Sequence, residues 1–400
     1  AGEPARAGSC RGSVGPGTGS SRDPQEQFPI IKRMDVNQNL RETPAAFPLL
    51  RVAGKTYREI GGKTGAYFTD RIRGGIEARR SWVEKLEAFV AADRPARYDC
   101  FLAAVRDEFP HLIEEMQGCA EGAGVPFDRM FTIVLNPELG AMMRAAETAK
   151  ECTTVALAAG DKLWIAHNED GASAYREFMH LLDVSWPSGV RSWSFCYPGF
   201  FPGNGPSVNS AGMAQTVNFI AAAAVRSGVP RYVLDRAGIE ARSLDEALKI
   251  AAHPRRSYSQ HHIFLSRDEK KMVSVEVTND RQSVVEIAGV YVHANHLIHG
   301  QMKDLPQIIG RPDTSRPRQA VADSWAAAVK DPAALQPVDL LGLLQSHQNA
   351  PLSICRHPAP GITGSTLGAA VIRGNERKVG FYDLEPCGGR GREVEWPQGE

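Results

Sequence analysis

In the segment Lys150–Gly171, KECTTVALAAGDKLWIAHNEDG, a cysteine leads a run of β-branched and apolar residues. Cys152 carries the strongest potential nucleophile of that segment, and the thiolate is its reactive form. Cutting the Glu151–Cys152 peptide bond would leave a thiol and an α-amino group on one residue. Their ordinary pKa values, about 8.5 and about 7.7–8.0, let the amine take the thiol's proton near neutrality. Nucleophile and base are then supplied without a histidine. The thiol can make the cut itself, attacking the preceding carbonyl to give a thioester that water opens. The competing reading is a buried structural cysteine, which packs as a small apolar residue.

Polar clusters end several later apolar runs: HNEDG at 167–171, GNGPSVNSAGMAQTVN at 203–218, HANH at 293–296 and TSRPR at 314–318. Thioester chemistry needs donors for a tetrahedral oxyanion, each worth roughly 3 kcal/mol. Asn295 and Asn209 have the amide NH2 for that task. Asp170 has a carboxylate to orient the freed amine or to bind a substrate ammonium, and Arg318 suits bidentate capture of a substrate carboxylate. Each also has a plain structural reading. Asn209-Ser210-Ala211-Gly212 is ordinary turn chemistry, Asp170-Gly171 is a hairpin signal, and Arg318 reads as a surface helix charge.

Taken in order, these segments resemble those of the isopenicillin-N (acyl-CoA:6-aminopenicillanic acid) acyltransferase-like proteins, a branch of the N-terminal-nucleophile hydrolases. Glu151-Cys152-Thr153-Thr154 is similar to the family's cleavage segment, and Asp170 falls at its step of eighteen residues beyond the cysteine. Asn209–Met213, Asn295-His296, Ser315–Arg318 and Asp383–Cys387 match its later segments. The resemblance spans roughly 48–387. The chain departs from it at Glu151, where many relatives carry glycine, at Ala294 in place of threonine, and at Pro317 between two arginines. Serine-to-arginine spacing favours Arg318 over Arg316.

The resemblance implies an α+β four-layer αββα sandwich, the N-terminal-nucleophile hydrolase fold. It implies catalytic roles for Cys152, Asp170, Asn295 and Asn209, and substrate contacts for Arg318, Asp170 and His296. Cleavage between Glu151 and Cys152 would release a mostly helical 28–151 and a catalytic 152–400, which stay together as a heterodimer within one domain. No cofactor or metal is implied. The substrate is a small N-acyl amide or an acyl-CoA, and relatives include enzymes that cleave β-alanyl amines. Hydrolysis is favoured because water is abundant unless the pocket excludes it. Transfer of an acyl group from coenzyme A is the alternative, and a binding protein that keeps the fold without maturing is another.

The elements that must position these groups follow from pattern. Residues 1–27 are rich in Gly, Ser, Pro and Arg and read as a disordered leader, with Met34 an alternative start. From 48 to 140 a short strand gives way to apolar spacings of three and four, which predict helices over 66–93 and 98–124 and another through 126–139. Beyond 152 the runs are short and rich in β-branched and aromatic residues, separated by Gly, Pro, Asn and Asp. Helices return at 230–252, 316–330 and 338–346. A helical block followed by an antiparallel-looking strand block predicts α+β, with the switch at residue 152.

Lys+Arg and Asp+Glu are both 46, so nothing in the charge argues for nucleic acid or an anionic membrane. No run reaches the roughly 18 apolar residues of a membrane span. Seven scattered cysteines without a CxxC argue against a disulfide framework or a zinc site, and for a reducing, cytoplasmic location. His293, His296 and His299 recur every three residues, but a strand running into a loop would point them apart. No GxSxG elbow occurs. His357 or His262 could partner a cysteine in a papain-like dyad, although the local signatures of such enzymes are absent.

Overall fold

Alternation of apolar and polar residues from 151 onward builds two sheets. The computed structural model describes residues 47–143, 151–222, 224–308, 313–383, 386–388 and 391–398. The leader expected over 1–27 and the alternative start Met34 lie outside them. One sheet holds eight strands in the order β1 (Leu49–Ala53), β4 (His180–Ser185), β5 (Arg191–Cys196), β6 (Ser207–Asn209), β7 (Met213–Phe219), β8 (Gln260–Ser266), β9 (Lys271–Val277) and β10 (Gln282–Glu286). The other holds six: β11 (Gly289–His293), β2 (Glu151–Ala159), β3 (Lys162–Ala172), β12 (Gly364–Arg373), β13 (Lys378–Asp383) and β14 (Gly391–Glu395). Neighbours pair antiparallel except β1 and β4, which run parallel.

Three apolar clusters stack these sheets and their helices. Ile165, Ala370 and Phe381 of the six-stranded sheet meet Leu181, Phe195 and Ile263 of the eight-stranded sheet in a core between them. Leu182, Val184 and Cys196, on the far face of the larger sheet, are covered by helices between Tyr57 and Met142 and by Arg231–Gly238. Val155, Leu157 and Val371, on the far face of the smaller sheet, pack on Val321 and Leu340 of the helices Ser315–Ala328 and Pro337–Leu344. The order is therefore helix, sheet, sheet, helix, the αββα arrangement.

The helical reading of the first block holds with breaks. The pattern over 66–93 takes in the end of the helix Tyr57–Tyr67 and breaks at Phe68 and Arg79 into Thr69–Ala78 and Arg80–Ala92. The pattern over 98–124 divides at Phe109, because Pro110 disfavours helical backbone in the residue before it. Gly124 then ends that helix with φ +61°. The turn chemistry read at Asn209–Gly212 separates β6 from β7. Among the described residues no helix is long and apolar enough to cross a membrane.

Helices Tyr57–Tyr67 and Pro110–Ala123 approach at backbone distance through paired glycines. A Cβ on Gly61 would lie 2.0 Å from the carbonyl oxygen of Glu115, and one on Gly118 would lie 2.1 Å from that of Arg58. Gly118→Ala must push the helices apart and is expected to cost about 2–3 kcal/mol. Urea unfolding should show a lowered midpoint with an unchanged slope.

Candidate active site

The site begins with hairpin arithmetic. The chain turns at Gly160 (φ +63°) and Asp161, and β3 returns along β2 so that Cys152 lies opposite Glu169 and Glu151 opposite Asp170. Side chains alternate across a sheet. Ala156 and Ile165 face the inter-sheet core, whereas Val155 and Leu157 face the outer helices. Cys152, Thr154, His167 and Glu169 therefore point between the sheets, and Glu151, Thr153, Asn168 and Asp170 point toward the helices.

On the inner face, Cys152 Sγ lies 3.7 Å from Glu169 Oε1, which also accepts the Tyr197 hydroxyl at 2.7 Å. His167 Nε2 sits 3.2 Å from the other Glu169 oxygen, and its Nδ1 is 2.8 Å from Thr154 Oγ1. Thr154 in turn donates to Asn218 Oδ1 on β7. Burial, reinforced by the nearby Glu169 and Asp170 charges, pushes the Cys152 thiol well above the ordinary range. The thiol is only 4% exposed, and it keeps its proton directed at Glu169.

The outer face is a cage of guanidinium groups. Glu151 Oε2 accepts from Arg318 Nη2 at 2.8 Å, from Arg356 Nη2 and from Thr314 Oγ1. Arg318 also donates to the Cys152 carbonyl at 2.6 Å, to Thr153 Oγ1, to Asn295 Oδ1 and, through Nε, to the Thr314 carbonyl. Asn295 Oδ1 accepts the Cys152 backbone N–H at 2.7 Å, and its NH2 donates to the Phe219 carbonyl. Asp170 Oδ1 accepts from Thr366 at 2.7 Å, and Oδ2 has no hydrogen-bond partner among the described residues. Burial pushes the Asp170 carboxyl up to about 6, outweighing the pull of Arg356 and Arg318.

Measured against the sequence, Asp170, Asn295 and Arg318 converge on Cys152, whereas Asn209 and His296 do not. Asn295 meets Cys152 with its oxygen, and its NH2 donates to the Phe219 carbonyl. Arg318 is buried rather than a surface charge, and the carboxylate it holds here is the chain's own Glu151. Asn209 is not brought to Cys152. Its NH2 bonds the carbonyls of Ile239 and Ala241, and its oxygen caps the Ala211 and Met213 N–H groups, so turn chemistry accounts for it. Arg316 lies outside, paired with Asp313. His296, pushed down to about 4 chiefly by burial, meets Ser315 Oγ, which accepts the Asn295 N–H; it supports the loop and does not touch Cys152.

The Asp170-Gly171 hairpin signal was misleading, since both residues lie inside β3. Glu169, Tyr197, Thr314 and Arg356 were missed. Placing the turn at Gly160-Asp161 would have revealed Glu169 by counting back along β3. The other three come from distant segments and leave no local trace. His293, His296 and His299 diverge, bonding Glu276, Ser315 and Ser274 respectively. His262 pairs with Asp235, and His357 sits beside His347, so no dyad with Cys152 forms.

Cys152 thus stands near the start of β2, inside an αββα stack, flanked by a carboxylate, an asparagine and a buried arginine. The profile of the acyl-coenzyme A:6-aminopenicillanic acid acyl-transferase family matches residues 157–383, more than half of the chain, and the chain belongs to that family. The matched span begins five residues beyond Cys152 and includes Asp170, Asn295 and Arg318. The beta-alanyl-dopamine/carcinine hydrolase of Drosophila melanogaster is 27% identical over 222 residues, 51% of this chain. The chain spans 57% of the length of that relative. Among solved structures, penicillin V acylase from Agrobacterium tumefaciens is similar with a TM-score of 0.33 at 11% identity, over 58% of this chain and 82% of that one.

Asp170 makes stability pH-dependent. Its carboxyl binds a proton more tightly when folded than when unfolded, so its contribution is full below about 4 and declines as pH rises through about 6. Asp170→Asn, which cannot ionise, should leave stability near pH 4 unchanged and raise it at pH 8 by up to about 3 kcal/mol. Thermal unfolding of both proteins across that range measures the difference.

Proposed function

We propose that this protein is a self-cleaving cysteine amidohydrolase that opens the amide bond of a small N-acyl compound through a thioester on Cys152. The observation that carries the reading is the grip on the two peptide units that flank the Cys152 Cα, the first of them the Glu151–Cys152 bond. Asn295 holds the Cys152 nitrogen at 2.7 Å, Arg318 holds the Cys152 carbonyl at 2.6 Å, and the thiol faces Glu169 at 3.7 Å.

In the first reaction Glu169 takes the thiol's proton and Sγ attacks the Glu151 carbonyl carbon. The S–C bond forms, the C–N bond breaks, and the departing nitrogen takes up a proton to become the α-amine of Cys152. Water then cleaves the thioester, leaving a carboxylate at Glu151 and restoring the thiol. The freed amine remains beside Asn295 Oδ1, and its ordinary pKa of about 7.7–8.0 suits it to act as base in later turnovers. In those turnovers the amine takes the thiol's proton, the thiolate attacks the substrate amide, the protonated amine returns the proton to the leaving amine, and water then cleaves the acyl thioester to release the acid and restore the thiol.

The acyl end of the substrate fits the space that the Glu151 side chain fills. Asp170 borders that space with an oxygen lacking a partner. A β-alanyl group, named in the relative's substrates, ends in an ammonium that such an oxygen can receive. The helical segment before 151 stays attached because it covers the apolar outer face of the eight-stranded sheet.

Intact-mass analysis of purified protein tests the first reaction. The wild-type chain should appear as two fragments divided between 151 and 152, and Cys152→Ala as one. Cleavage of Cys152→Ala at that bond would overturn the mechanism. Glu169→Gln should slow cleavage at neutral pH by about 100-fold, the scale of a lost general base. For the second reaction, incubation with carcinine and other N-acyl amines should release free amine with wild-type protein and none with Cys152→Ala.

A further inference from the structure

Away from Cys152, four side chains capable of binding a metal meet where the loop after helix Pro337–Leu344 touches the 3-10 turn Pro386–Gly388. They are His347, Cys355, His357 and Cys387, and their ligand atoms all lie within 4.8 Å of one another. His347 Nε2 is 2.9 Å from His357 Nε2. Cys355 Sγ and Cys387 Sγ lie 3.7 Å and 3.6 Å from that same nitrogen. Both sulfurs are free thiols.

Hydrogen bonding is a poor account of this meeting. One imidazole nitrogen carries at most one proton, and it cannot serve a second imidazole nitrogen and two sulfurs together. A cation at the centre satisfies all four lone pairs at once. Bonds of about 2.3 Å to sulfur and about 2.0–2.1 Å to nitrogen, arranged tetrahedrally, set neighbouring sulfur and nitrogen atoms about 3.5 Å apart. The observed sulfur–nitrogen distances are close to that edge.

We propose that His347, Cys355, His357 and Cys387 bind one zinc ion as a structural site. Two thiolates and two imidazoles suit zinc and exclude magnesium or calcium, which take oxygen ligands. Four protein ligands leave no open position for water or substrate, so the ion holds structure and does no chemistry. Each thiol loses its proton to solvent as the ion binds.

What the ion would hold is Arg356. Cys355 and His357 are its two neighbours in the chain, so the ion fixes the backbone on both sides of the residue that grips Glu151. Arg356 also exchanges bonds with Thr366, its N–H donating to Oγ1 and its carbonyl accepting the Thr366 N–H, and Thr366 donates to Asp170. Arg356 and Asp170 would thereby take their positions from the metal site. The sequence spacing hid it, because the ligands fall at 347, 355, 357 and 387. The site stands whether or not the chain cleaves itself.

The test is metal analysis of untagged full-length protein, grown with zinc and dialysed against metal-free buffer. About one zinc per chain is expected by elemental mass spectrometry, with no loss of 2 Da that would signal a Cys355–Cys387 disulfide. Cys387→Ser and His347→Ala should each lower bound zinc at least tenfold, whereas Cys152→Ala should retain it. Cobalt substitution of the wild-type protein should give the visible absorption of a thiolate-ligated tetrahedral ion, which needs no variant to fold. Metal-free wild-type protein with reactive thiols, a Cys355–Cys387 disulfide, or zinc lost only in Cys152→Ala would each overturn the proposal.

Discussion

Cross-strand register at the open end of the β2–β3 hairpin governs every other group at the site. Because strand side chains alternate, adjacent residues 151 and 152 serve opposite layers. A slip of one residue would bring the thiol against Arg318 and bury the Glu151 carboxylate between the sheets. Two things prevent it. The tight turn at Gly160-Asp161 sets the pairing, and the apolar partition of Ala156 and Ile165 inward against Val155 and Leu157 outward penalises any alternative.

Charge then ties this hairpin to the rest of the chain. Arg318 and Arg356 are almost wholly out of water, and a buried charge left unpaired costs several kcal/mol. Their counter-charges are Glu151, which both arginines hold, and Asp170, whose titration both of them pull downward. The helix Ser315–Ala328 and the loop through Arg356 are thereby both tied to the start of β2. Glycine before Cys152 could make none of these contacts, so Glu151 anchors the start of β2 to both arginines.

The inner face follows a different logic. Asn218, Thr154, His167, Glu169 and Cys152 form a connected polar line between the sheets, which His261 continues from Asn218 to Ser274. Each member lies on a strand, and Tyr197, just beyond the end of β5, completes the shell of Glu169. Such a line has little freedom to relax, which keeps the thiol and the carboxylate in one fixed approach.

Much of this was legible in the residues alone. The change from helical to strand periodicity at 152 was readable because periodicity is a local property of a chain, whereas the αββα class and the grouping of Cys152 with Asp170, Asn295 and Arg318 came from the resemblance that the ordered motifs carry. The direction in which each group points was not. Asn295 presents its oxygen to Cys152 and its NH2 to Phe219, Asn209 turns away to cap its own loop, and Arg318 folds onto Glu151. Glu169 was within reach of a count along the hairpin. Arg356, Thr314, Tyr197 and the gathering of Cys355 with Cys387 were not, since segments far apart in the chain meet only when the sheets stack and their helices close over them. Hydrogen-bond partners and buried charges are settled by that packing, which has no signature in neighbouring residues.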